Sequence, residues 1–132
     1  EEFLAPLRAD FPTAAARFLA AMFPADADSA LVAQTIGRLT AAPPAMAVSA
    51  IEHLFSFDLP GAARAYRGPL YLINNDGYPV NVEQWRTYGV ELHVTLMHDV
   101  GHFPMLTRPA PFRANLRRAL AAIAAPEPAA AN

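Results

Sequence analysis

Gly68-Pro69 splits this chain into two stretches that obey different hydrophobic periods. Before it, alanine dominates and larger apolar residues recur every three or four positions, the spacing of a helix face. After it, β-branched and aromatic residues gather in runs of strand length. A chain divided in this way reads as α/β, with a helical segment over residues 1–66 and a mixed segment over 67–125. A Pro/Ala tail, 126–132, is expected to be flexible. The 132 residues suit one domain with a core of moderate size.

Within the helical segment the punctuation is mostly proline and aspartate. Asp10 and Thr13 are alternative N-caps around Pro12, which suits a first helical turn. Ala15, Phe18, Leu19, Met22 and Phe23 then form a stripe that ends before Pro24. A second helix starts at Asp28 or Ser29, with Leu31, Val32, Thr35, Ile36 and Leu39 on one face. Gly37 inside it costs about 1 kcal/mol relative to alanine. Pro43-Pro44 closes that helix and opens a third, whose stripe is Val48, Ile51, Leu54 and Phe55. A short helix is expected from Leu59 to Tyr66, with Asp58 as its cap or as a contact to the second segment.

Leu70-Tyr71-Leu72-Ile73 is apolar on both faces, as a buried parallel strand requires. The run Asn74 to Pro79 is a dense turn signal, and Asn81 caps a short helix through Trp85 to Tyr88, closed by Gly89. Residues Glu91 to Met97 alternate, with Val94 and Leu96 able to face inward, and read as a second strand. His98 to Arg108 is expected to be a loop. A last helix spans about Pro109 to Ala124, with Phe112, Leu116, Leu120 and Ile123 as its stripe. The order is βαβα, with parallel strands.

Charge and composition exclude several classes. Ten basic against twelve acidic residues, a net charge of -2, give no footing for nucleic acid or for an anionic membrane surface. No run of about 18 apolar residues is present to span a bilayer. The opening Glu1-Glu2-Phe3-Leu4 lacks the positive charge of a secretory leader, so a cytoplasmic location is expected. There are no cysteines, hence no disulfide framework and no thiolate chemistry. All ten basic residues are arginine, which suggests the codon usage of a high-GC bacterium.

The chemistry-bearing residues are few. Ser29, Ser49 and Ser56 are the serines, and none stands in G-x-S-x-G, the strained turn that presents a nucleophile. Phosphate-loop, dinucleotide and H-E-x-x-H patterns are absent. His98 and His102 lie four residues apart in a glycine-containing loop without cysteine or a second carboxylate pair, so no metal is expected there. His53 and His93 read as surface residues of a helix and a strand. His102 follows Gly101, which admits a backbone that aims the next side chain out of the loop. That loop stands at the C-terminal edge of parallel strands, where sites in open α/β sheets are built. Asp76 stands at the same edge of the preceding strand. A hydrogen bond donated by the His102 ring to Asp76, direct or across one water, would set the imidazole tautomer and stabilise an imidazolium.

These segments resemble the α/β-hydrolase family. Arg67 to Pro79 is similar to the penultimate strand and acid-bearing turn, and Asp99-Val100-Gly101-His102-Phe103 through Pro109 to the catalytic-histidine loop G-H-F-x-x-x-E-x-P. Pro109 to Leu116 resembles the final helix, and the helical region ending in Ile51 to Asp58 the lid inserted before the penultimate strand. Thr107 stands where the family has glutamate, and the family's acid falls nearer Tyr78 or, in some members, after an earlier strand. The resemblance covers the C-terminal half of that fold, without its early strands, oxyanion loop or nucleophile elbow. It implies a parent hydrolase of esters or related acyl compounds, with a small-molecule substrate and no cofactor. In it His102 is the base and Asp76 the best available acid. The 132 residues alone would be inactive. The alternative is a non-catalytic binding or interaction domain that kept the hydrolase shape. With only two strands, the chain is expected to pair with a missing N-terminal half or with its own copy as a dimer.

Overall fold

A computed structural model describes residues 2–125 of the chain. The expected tail, 126–132, lies outside the described residues. The fold is α/β, a helical layer followed by a two-stranded parallel sheet with its helices.

Aspartate caps set the helix starts. Helix α2, Phe11–Ala20, begins at Asp10, whose carboxylate accepts the Thr13 N–H at 3.3 Å. Helix α3, Ser29–Thr40, begins at Asp28, which accepts the Leu31 N–H at 2.7 Å. Of each competing pair, the aspartate is the cap. Helix α4, Pro44–Ser56, starts on Pro44, and α5, Leu59–Ala65, is capped by Asp58 through the Gly61 N–H at 2.9 Å.

One helix was not expected: α1, Leu4–Ala9, precedes α2 with Asp10 alone as the joint. It supplies much of the core. Leu4 and Leu7 cluster with Phe11, Ala15 and Val48, flanked by Ala14, Ala47 and Ile51. Their burial is what holds α1, α2 and α4 together, since each short helix is marginal by itself. Phe18, on the expected apolar stripe of α2, is exposed, and so are Leu54 and Phe55 at the far end of α4.

Strand β1, Leu70–Asn75, and strand β2, Leu92–Met97, pair in parallel from Leu70 opposite Leu92 to Asn75 opposite Met97. Between them runs α6, Val82–Thr87, capped by Asn81 through Gln84 N–H at 3.1 Å; Gly89 leaves it in the left-handed region, φ 79°. After β2 the expected loop contains one turn of helix, α7, Pro104–Thr107, because Pro104 presets the first helical φ. Helix α8, Pro109–Ala124, then packs against β1 and α7.

Alternation along the strands places Leu70, Leu72, Leu92, Val94 and Leu96 on one face. Leu92 is buried there, but Val94 and Leu96, though able to face inward, are 37% and 46% exposed. On α8 the residues that turn inward are Phe112, Asn115 and Ala119; of the expected stripe Phe112 is thus inside, while Leu116, Leu120 and Ile123 face outward. Among the described residues no helix is long and apolar enough to cross a membrane.

Candidate functional site

The register of the sheet builds the site. Asn75 pairs with Met97, so the residues that follow them, Asp76 and His98, leave the sheet side by side. His98 Nδ1 lies 3.1 Å from Asp76 Oδ2, and the same oxygen accepts the Asp99 N–H at 3.4 Å. No direct Asp76–His102 hydrogen bond, the first of the two expected arrangements, is formed. Two in-register strands of equal length bring His98 opposite Asp76, whereas His102 is four residues farther along a loop. Adjacency of the two loops is readable from the sequence, but the register that selects His98 over His102 is not.

The turn after β1 is held from within. Buried Asn75 accepts the Gly77 N–H at 2.8 Å, and Asn74 Nδ2 donates to the Tyr78 carbonyl at 2.7 Å. The loop after β2 takes two left-handed residues, Asp99 at φ 54° and Gly101 at φ 67°. Aspartate tolerates that region better than most side chains. Thr107 Oγ1 donates to the Val100 carbonyl at 2.7 Å, tying α7 back to the loop at the position where the resembled family carries glutamate.

His102 is exposed, and its ring has no hydrogen-bond partner among the described residues. Its neighbours are aromatic: Phe103 at 5.2 Å between ring centroids and Tyr78 at 6.2 Å, both edge-on. The ring stands where two hollows meet. One lies over β1 and is lined by Tyr71, Ile73, Met105 and Phe112. The other contains Asp76, Gly77 and Tyr78 and is bounded by Met22 and Phe23 from the helical layer. Asp76 and His102 therefore share a cavity wall without touching.

Asp76 has a carboxyl held below its ordinary value: partial desolvation pushes it up, but the His98 hydrogen bond, the N–H groups of Asp76 and Asp99 and the His98 charge outweigh that. The result is an anion between two imidazoles, bonded to one and facing the cavity of the other. Chemically it can orient a histidine or stabilise its protonated form; a ring nitrogen of His102 is free to accept or donate a proton.

The remaining histidines stand apart. His53 Nδ1 lies 2.7 Å from its own helix's Ser49 carbonyl, and His93 stacks on Tyr71 with centroids 4.4 Å apart. Ser49 and Ser56 lie inside α4, where Ser56 Oγ bonds carbonyls one turn back, and Ser29 opens α3. Among the described residues no group of three His, Asp or Glu side chains is placed to hold a metal ion. Protein-family models and curated proteins return no match to this chain.

Proposed function

We propose that the chain is the C-terminal part of a serine-type α/β-hydrolase, acting on esters or related acyl compounds of small molecules, with residues 1–66 as its helical lid. The observation that carries this reading is His102 itself. It follows a left-handed Gly101 on the loop at the C-terminal end of a parallel strand, with both ring nitrogens unengaged and Asp76 on the same rim. In this reading His102 accepts the nucleophile's proton and returns it to the leaving group, and no cofactor takes part. The nucleophile comes from outside these 132 residues, because the three serines here serve helices. The chain alone is then expected to show no turnover of p-nitrophenyl esters above background.

Asp76 enters the mechanism only if it exchanges His98 for His102 as partner. That engagement favours a second reading, a non-catalytic binding domain of hydrolase shape. The test is the product of the whole coding sequence containing this chain, assayed on short p-nitrophenyl esters with and without His102→Ala. Loss of about 10³-fold or more in kcat supports the first reading. Activity indifferent to His102, or none in the whole product, overturns it and leaves the binding domain.

A further inference from the structure

The link between α2 and α3 lies directly on the His102 loop. The Met22 carbonyl accepts the His102 N–H at 2.7 Å. Phe23 and Phe103 bring their rings to 5.0 Å. Arg108, the residue that opens α8, donates from its Nη2 to Asp26 Oδ2 at 2.7 Å across 82 residues of sequence. Gly101 records how close this approach is: a Cβ there would stand 2.5 Å from the Met22 carbonyl oxygen and 2.8 Å from Pro24 Cδ. The glycine is thus required both by its positive φ and by the backbone lying on it. Met22 and Phe23 also bound the cavity that His102 shares with Asp76.

We propose that Asp26 and Arg108 are positioning residues for His102: their ion pair latches residues 22–26 as a strap whose carbonyl anchors the histidine's backbone. The placement of the pair fits that role. Asp26 is mostly exposed and Arg108 about one-third exposed, so the pair is open to solvent and can release. It closes the end of the strap farthest from Met22. The Arg108 carbonyl also accepts the Phe112 N–H at the start of α8, so the ion pair ties the strap to that helix as well. When the latch opens, the strap lifts, the His102 N–H loses its acceptor and the cavity wall at Met22 and Phe23 moves away. This positioning concerns the loop's geometry and holds whether or not the chain belongs to a hydrolase.

The test is residue-resolved amide hydrogen exchange on the chain as it stands, which needs no catalytic readout. Asp26→Asn is expected to speed exchange of the His102 amide by about threefold, an exposed ion pair's worth of local opening. The amides of Leu72 and Thr95, which the register places in the ladder between the strands, should keep their rates. The reversed pair, Asp26→Arg with Arg108→Asp, should restore His102 protection, and aspartate at the start of α8 is a favourable N-cap. Gly101→Ala gives a second route, displacing the strap with the ion pair intact, and should speed the same amide. Unchanged His102 exchange in Asp26→Asn, no recovery in the reversed pair, or equal acceleration of the sheet amides would overturn the proposal.

Discussion

Asp76 couples acid pH to the geometry of this rim. Its carboxyl is lowered in the fold, so its contribution to stability is complete above its unfolded value and is lost as pH falls through the folded one. Acidification should therefore detach the β1 turn from His98 below the ordinary aspartate range, and Asp76→Asn should flatten that part of the acid unfolding curve. A carboxyl carbon titration by NMR checks it: a midpoint at or above the ordinary aspartate value would contradict the hydrogen bonds described. At Gly101, alanine is expected to lower stability by roughly 1–3 kcal/mol, since it meets both a strained φ and the Met22 carbonyl. Thermal or urea unfolding measures that. What the sequence made legible here is position: Asp76 and His102 both stand on the expected rim. Pairing was not legible, because it depends on strand register, which a residue count along the loops does not contain.

Among the elements, α3 shows how much a helix can rest on its own ends and composition. None of its residues is buried, and its half-buried face, Leu31, Val32, Thr35 and Ile36, is the one its spacing indicates. Removing the cap with Asp28→Ala should cost about 1 kcal/mol. Gly37→Ala should instead stabilise by up to about 1 kcal/mol, because nothing lies within 4 Å of the added Cβ. Thermal unfolding monitored at helix wavelengths separates the two by sign. Helices α2 to α6, α8 and both strands were readable because caps, prolines and periods agree in those stretches. Helix α1 escaped because six residues with Pro6 inside show too little period. Its signal was Leu4, Leu7 and Phe11, one helix face carried across the Asp10 joint. The apolar stripe of α8 is visible in its spacing, yet only Phe112 of it turns inward, since periodicity gives a face but not the layer that covers it.

At the scale of the whole molecule, the sheet is short of partners. Val94 and Leu96 on the sheet, Leu116, Leu120 and Ile123 on α8, and Leu54, Phe55 and Phe57 in the helical layer all face solvent. Two strands also leave an open edge on each side, with unpaired backbone groups. The isolated chain is therefore expected to self-associate at micromolar concentration, and sedimentation showing only a 14.2 kDa species would contradict this. The strap has a different consequence, for the order in which the molecule forms. Asp26 and Arg108 close a loop of 82 residues. The chain between them holds α3 to α6, both strands and α7, and the strap's other contacts, at Gly101, His102 and Phe103, exist only once β2 has set its loop. Helices form in microseconds from local contacts, whereas such a distant closure bears its entropic cost before any contact repays it. Folding should thus proceed from the helices through the parallel strands to the strap, and His102 should be the last part of the rim to acquire protection in a pulse-labelled refolding course.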